Sequence, residues 1–169
     1  MVEPFEEQPG ILSVLSGYTG GKFQKPTYQQ VVGGLTDQVE AVEIFFDRRL
    51  IAYEQLLELY WQITDPTDEF GQINDRGAHY RPVIFYTSNT QYQLAENSKQ
   101  KLAESGAYTD PIVTEIKPAT DFWPAENFHQ DFYKKNPEKY KLLKRDRRQY
   151  LKFLHFSQRV KKITKKVIK

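Results

Sequence analysis

The chain has 169 residues, of which 39% are hydrophobic and 27% are charged, which suits one domain. It contains no cysteine, which excludes disulfides, thiolate-bound metals and a thiol nucleophile within these residues. Residues 1–133 contain nine Lys and Arg against twenty Asp and Glu, whereas residues 134–169 contain fifteen against two. No apolar run approaches the ~20 residues of a membrane span and the acidic start is unlike a signal peptide, which together favour a cytoplasmic protein.

The first half of the chain predicts two strands and a helix. Ile11–Ser16 is an apolar run between turn residues and predicts a strand, and residues 18–21 predict a glycine-rich loop. Val39 to Phe46 is rich in Val, Ile and Phe, which predicts a central strand. Apolar residues at helical spacing predict a helix over Tyr53–Ile63.

Two more strands and a helix are predicted in the second half. Arg81–Tyr86 and Pro111–Ile116 read as strands. Between them Ser88 begins a capping box in which Gln91 reaches back to the Ser88 N–H, and the helix that follows ends near Gly106.

The region from Pro118 to Tyr140 is aromatic and punctuated by proline, so an irregular path with one short helix is expected. Helices and strands are mixed without regular βαβ alternation. The sequence therefore favours an α+β fold, with a mixed central sheet and helices packed against it.

The basic C-terminal segment carries an apolar stripe at helical spacing, formed by Phe156, Val160, Ile163 and Val167. This stripe predicts either a helix that packs on the acidic body or a basic amphipathic helix for anionic lipid or nucleic acid. Packing on the body is favoured because no nucleic-acid-binding fold accompanies the charge. We accordingly divide the chain into a domain over residues 1–140 and a basic tail over 141–169.

Short motifs spread over residues 1–140 resemble the peptide methionine sulfoxide reductase A family. Each motif is weak alone, but their order and spacing match the family. They are Ser16-Gly17-Tyr18-Thr19-Gly20-Gly21, Pro26-Thr27-Tyr28, Glu40-Ala41-Val42, Asp65-Pro66-Thr67, Gln72-Ile73-Asn74-Asp75-Arg76-Gly77, Tyr80-Arg81, Pro124-Ala125-Glu126, His129-Gln130 and Lys135-Asn136-Pro137.

The resemblance implies an enzyme that reduces the S epimer of methionine sulfoxide in proteins, or of the free amino acid, and that thioredoxin returns to its reduced form. It implies neither a bound cofactor nor a metal. The family's nucleophilic Cys belongs to a Gly-Cys-Phe-Trp signature at the end of a first strand, which the resemblance places just before Met1. We therefore expect residues 1–169 to lack the first strand and the nucleophile. We also expect them to be inactive as a reductase on their own.

Two explanations of this gap remain open. Either the protein begins upstream of Met1, which is favoured because loss of a strand damages the fold, or the gene product has lost its chemistry. In the second case it is a binding module that holds oxidised methionine without reducing it, or a lipid or nucleic-acid binder acting through its tail.

Four residues are the predicted site. Glu40 lies among apolar neighbours, where burial raises the pKa of a carboxyl and keeps it protonated. The resemblance assigns Glu40 as the acid on the sulfoxide oxygen, Tyr18 and Tyr80 as hydroxyl donors, and Asp75 as an organiser of the pocket. Without the resemblance, Glu40 reads as a surface residue of its strand, the tyrosines as packing residues and Asp75 as a turn residue.

One departure from the family lies close to Glu40. The family usually has Gly-His three and two residues before this glutamate, whereas the present chain has Asp37-Gln38. A carboxylate at Asp37 is expected to raise the pKa of Glu40 further.

Overall fold

The computed structural model describes residues 1–167, with side chains through residue 164, and it combines helices with short strands. The helices are α1 (Val2–Glu6), α2 (Tyr28–Val32), α3 (Tyr53–Ile63), α4 (Asn89–Glu104), α5 (Phe132–Lys135) and α6 (Pro137–Val167). The strands are β1 (Ile11–Thr19), β2 (Val39–Phe46), β3 (Gly71–Gln72), β4 (Asp75–Arg76), β5 (Val83–Tyr86), β6 (Glu115–Pro118) and β7 (Trp123–Pro124). A 3-10 turn covers Ala78–Tyr80.

The strands form three small sheets. β1 lies between β2 and β7 in an antiparallel sheet, β3 and β4 form a hairpin, and β5 pairs with β6 in parallel. The α+β class predicted from the sequence is confirmed. The prediction that β2 is a central strand is wrong, because β1 is the middle strand of the order β2-β1-β7.

The hydrophobic core lies between α3 and the elements around it. Residues of α3 pack with α1, β1, β5 and α4; the buried members are Phe5, Val14, Ile51, Leu56, Leu57, Tyr60, Trp61, Ile84 and Ala95. The Trp61 indole donates to the Ser98 hydroxyl at 2.7 Å, which connects α3 to α4. The helix predicted over Tyr53–Ile63 is confirmed with the same bounds.

The first strand runs further than its sequence predicts. β1 continues through Gly17 to Thr19, so Tyr18 belongs to the strand and not to a loop. At Gly17 the strand meets β7 so closely that an added Cβ would lie 2.5 Å from the Trp123 carbonyl oxygen. Glycine permits this pairing, and the pairing holds Tyr18 in extended backbone beside Trp123.

Two smaller predictions around β5 and α4 need correction, and a third is confirmed. The strand predicted over Pro111–Ile116 is shorter and later, because pairing with β5 begins only at Glu115. The helix after Ser88 is confirmed, and the Ser88 side chain accepts from the Gln91 N–H. The Gln91 side chain, however, accepts from the Thr87 N–H at 2.8 Å and not from Ser88.

The basic segment is one helix of 31 residues that packs against the body. Leu151 and Gln158 are buried, and Gln158 accepts from the Thr109 N–H at 2.8 Å. The Tyr150 hydroxyl donates to Asp65 at 2.8 Å. Packing on the body was predicted, but the predicted stripe is not the packed face, since Phe156 is exposed.

The division after residue 140 falls inside α6, which runs without a break across it. The division into two parts stays a prediction. The last stripe residue, Val167, has a side chain outside the described part of the chain. Residues 168 and 169 of the predicted tail also lie outside it.

Candidate active site

The central pair of the site is set by the register of the antiparallel sheet. Tyr18 on β1 lies directly opposite Glu40 on β2 and, on its other side, opposite Trp123 on β7. Side chains of directly opposed residues point to the same face of a sheet. The carboxyl of Glu40 and the phenol of Tyr18 therefore share one face, although 22 residues of sequence separate them.

Glu40 is an acid that the fold keeps partly protonated near neutrality. Burial raises its pKa to about 7, and the negative charges of Asp75 and Glu126 act in the same direction. The nearby Tyr80 hydroxyl opposes the rise without overcoming it. One carboxyl oxygen, Oε1, is buried and has no hydrogen-bond partner among the described residues, so this group has capacity for a ligand.

Tyr80 is brought to Glu40 by the hairpin of β3 and β4. Gln72 on β3 is fixed by two hydrogen bonds to the Asp65 backbone, at 2.8 and 2.9 Å. Gly77 then takes a φ of 128°, which favours glycine, and the 3-10 turn that ends at Tyr80 packs against β2. Burial and the adjacent Glu40 and Asp75 charges raise the pKa of the Tyr80 phenol, which therefore keeps its proton.

Asp75 lies on the exposed side of the same hairpin. Its charge raises the pKa of both Glu40 and Tyr80 and opposes the lowering of the His79 pKa by burial. Asp75 therefore acts on the site through its electric field.

Tyr18 reaches the site but uses its hydroxyl proton elsewhere. The side chain is buried, and its hydroxyl donates to Glu126 Oε2 at 2.8 Å. Burial, this hydrogen bond and the nearby carboxylates raise the pKa of Tyr18. In this arrangement the phenol has no second proton to donate to a ligand. Its hydrogen bond instead holds the Glu126 carboxylate in place.

Tyr28 is a site residue that the sequence reasoning did not select. Its backbone N–H donates to Glu126 Oε1 at 2.9 Å, and its phenol lies close enough to raise the pKa of both Tyr18 and Tyr80. Its own hydroxyl makes no hydrogen bond within the described residues. Tyr28 and Glu126 both belong to motifs of the family resemblance, so these motifs could have indicated both residues from the sequence.

The exchanged pair before Glu40 stabilises a loop. Gln38 is buried, its side chain accepts from the Gly21 N–H at 3.2 Å, and it donates to the Phe23 carbonyl at 2.8 Å. Asp37 accepts from the Lys22 N–H at 3.1 Å. The expectation that Asp37 raises the pKa of Glu40 is not met, because the carboxylates that do so are Asp75 and Glu126.

A described cleft of about 580 Å³ lies nearby, but Glu40, Tyr18 and Tyr80 do not line it. Its walls include Gln38 and His79, the sequence neighbours of the site. We place the chemistry at Glu40 because a buried acid with an unpartnered oxygen faces hydroxyl groups there. Elsewhere in residues 1–167, no cluster of three or more His, Asp or Glu has the geometry of a metal site.

The geometry places a buried carboxyl, Glu40, with one oxygen unpartnered among the described residues, next to the Tyr80 hydroxyl. A family model described as peptide methionine sulfoxide reductase matches residues 1–160. The chain is 58% identical over 151 residues to peptide methionine sulfoxide reductase MsrA of Streptococcus equi subsp. zooepidemicus (strain H70), which covers 89% of each sequence.

Solved structures agree with this match. Methionine sulfoxide reductase A of Corynebacterium diphtheriae superposes with a TM-score of 0.70 at 32% identity, over 80% of this chain and 68% of that one. Reduced Mxr1 from Saccharomyces cerevisiae gives 0.69 at 29% identity, over 76% and 74%. The chain belongs to the peptide methionine sulfoxide reductase family.

Proposed function

We propose that residues 1–169 bind the oxidised side chain of a methionine S-sulfoxide and polarise its S=O bond. Glu40 donates a proton toward the sulfoxide oxygen, and the Tyr80 hydroxyl donates a second hydrogen bond. The observation that carries the proposal is the buried carboxyl of Glu40, which has a pKa of about 7 and an oxygen without a partner among the described residues.

The other residues of the site support these two donors. Tyr28 lies near both tyrosines, since its phenol raises the pKa of Tyr18 and of Tyr80, and its backbone N–H binds Glu126. Tyr18 is a positioning residue through its bond to Glu126. Asp75 keeps the pKa of Glu40 high through its negative charge.

This arrangement fits the reaction of the family. A cysteine thiolate forms a bond to the sulfoxide sulfur, and the S–O bond breaks as the oxygen is protonated and leaves as water. Water then attacks the cysteine sulfur and breaks the new S–S bond, so methionine leaves with its sulfur reduced and the oxygen from water ends on the cysteine. The thiol is oxidised to a sulfenic acid, and thioredoxin as reductant then restores the thiol and releases water. Oxygen is a poor leaving group until it is protonated, so a neutral carboxylic acid beside it lowers the barrier.

No thiol is present among the 169 residues. They therefore supply the acid side of the reaction and the substrate pocket, and we expect binding without turnover from a protein of this sequence alone. Proteins or peptides that contain oxidised methionine are the proposed ligands.

Calorimetry tests the proposal with a methionine S-sulfoxide peptide between pH 5.5 and pH 8.5. Because protonated Glu40 is the donor, affinity is expected to fall about tenfold for each pH unit above 7. Glu40→Gln keeps a donor that does not titrate, so its affinity is expected to stay within a few-fold of the acidic wild type and to be flat with pH.

The same peptide with unoxidised methionine is the ligand control and is expected not to bind. A wild-type affinity that ignores pH, or the same slope in Glu40→Gln, contradicts the role of Glu40. A measurable reductase rate with dithiothreitol from this cysteine-free chain contradicts the expectation of binding without turnover.

A further inference from the structure

Helix α6 has apolar residues on two opposite sides, and the body covers only one of them. Buried Leu151 and Gln158 lie on the covered side. About half a turn away around the helix, four apolar residues point to solvent. These four, which we call the outer face, are Phe153, Phe156, Val160 and Ile163, and they are 69%, 64%, 44% and 64% exposed.

Exposed cations flank the outer face. Lys152 lies four residues before Phe156 and Arg159 three residues after it, so both are next to that ring on the helix surface. On other sides of α6, Lys144 pairs with Glu3 at 2.7 Å and Lys161 with Asp110 at 2.5 Å. Within the described side chains no such ion pair forms at Lys152 or Arg159.

The cations and the apolar side chains of the outer face together indicate which kind of partner it can bind. A second copy of α6 would bring like charges together. Nucleic acid would pair with the cations, but it has no apolar surface to cover a stripe of two Phe, a Val and an Ile. A bilayer that contains anionic lipid offers both an acyl boundary for the apolar residues and phosphates for Lys152 and Arg159.

We propose that the outer face is a docking surface for an anionic lipid bilayer. The helix lies in the plane of the interface, with the body held on its opposite side by contacts such as that of Gln158 with Thr109. None of the described helices is long and apolar enough to cross a membrane, so the contact is superficial. This proposal is independent of sulfoxide binding.

Vesicle flotation tests the proposal with the full 169-residue chain. The vesicles are phosphatidylcholine in which about one lipid in four is phosphatidylglycerol, and pure phosphatidylcholine is the comparison. We expect partitioning about tenfold weaker on pure phosphatidylcholine, and weaker on the anionic vesicles as salt rises. The variant Phe153→Gln with Phe156→Gln removes most of the apolar area, and we expect about tenfold or greater loss.

The matched control makes the same change at two exposed phenylalanines elsewhere, Phe45→Gln with Phe70→Gln, and we expect wild-type partitioning from it. Thermal unfolding and sulfoxide-peptide calorimetry are expected to be unchanged in the outer-face variant, which keeps a failure here distinct from a failure of the site.

Three results overturn the proposal. One is wild-type flotation by the outer-face variant, and another is no vesicle binding by the wild type. The third is that a different partner covers the outer face. Binding of duplex DNA in place of vesicles would show this, as would a dimer in sedimentation that is absent in the outer-face variant.

Discussion

Two carboxyl groups flank Tyr18, and the fold shifts their pKa values in opposite directions. On one side, burial raises the pKa of Glu40 to about 7, and one of its oxygens has no partner in the described residues. On the other, partial burial pushes the pKa of Glu126 upward, but hydrogen bonds from the Tyr28 N–H and the Tyr18 hydroxyl outweigh it and hold the pKa below its ordinary value.

The difference shows that the balance between burial and hydrogen-bond donors, more than residue type, decides the pKa of a carboxyl. Glu126 receives donors at 2.8 and 2.9 Å and is an anion that fixes structure. Glu40 is deprived of donors at one oxygen and is an acid that can donate. Carboxyls whose environments separate their pKa values are the usual arrangement where one of them acts as an acid.

The largest expected effect comes from removing the titration of Glu40. Its folded pKa of about 7 exceeds the ordinary 4.5, so the folded state keeps a proton that the unfolded state releases between these pH values. Stability from this group is full below pH 4.5 and is lost as pH rises through 7. At pH 8 Glu40→Gln is therefore expected to be more stable than wild type by on the order of 3 kcal/mol, and about equal at pH 4.

Urea unfolding of both proteins across this pH range measures the difference. Infrared difference spectra at pH 6 provide a control, because the band of a protonated carboxylic acid is expected in wild type and not in Glu40→Gln. A stability difference that does not change between pH 4 and pH 8 contradicts the assignment.

A smaller effect of opposite sign is expected at Glu126. Glu126→Gln removes the charge from the acceptor of two hydrogen bonds and turns an NH2 group toward one donor, so unfolding free energy should fall by on the order of 2 kcal/mol. Thermal and urea unfolding measure the loss. The control Glu69→Gln, at an exposed carboxyl, is expected to change stability by less than about 0.5 kcal/mol. Equal effects at the two positions would show that Glu126 has no special structural role.

The smallest effect compares two aspartates near Glu40. Asp75→Asn removes a negative charge that raises the pKa of Glu40, so the pH midpoint of sulfoxide binding should move down by less than about one unit. Asp37→Asn, at the aspartate that the sequence analysis expected to raise the pKa of Glu40, is expected to leave the midpoint in place. A larger shift from Asp37→Asn than from Asp75→Asn reverses this ranking.

Much of the fold follows from local sequence. The helix over Tyr53–Ile63 has one apolar side, and the helix after Ser88 has its capping hydroxyl and a Gly106 that takes a φ of 68° where the chain turns away. Such features depend on residues three or four apart. Prediction was poorer for the strands, because β6 is defined by where β5 pairs with it and Tyr18 is held by β7.

The site was predictable in part. The sequence motifs selected Glu40, Tyr18, Tyr80 and Asp75, whose roles stay predictions, and the register places Tyr18 directly opposite Glu40. Sequence could not show that the Tyr18 proton is used by Glu126, a residue 108 positions away. Nor could it show that the Tyr28 N–H binds Glu126, because no local pattern encodes a contact across the fold.

By itself, the sequence determined the family, the helices with strong periodicity, the absence of a thiol from these 169 residues and the strongly basic C-terminal segment. The tertiary structure decided which carboxyl near Tyr18 has a raised pKa and which side of α6 remains exposed. The physical reason is the sequence distance between the interacting groups. Helix periodicity depends on residues close together in the sequence, whereas the pKa of a carboxyl and the burial of a helix face depend on groups that only folding brings together.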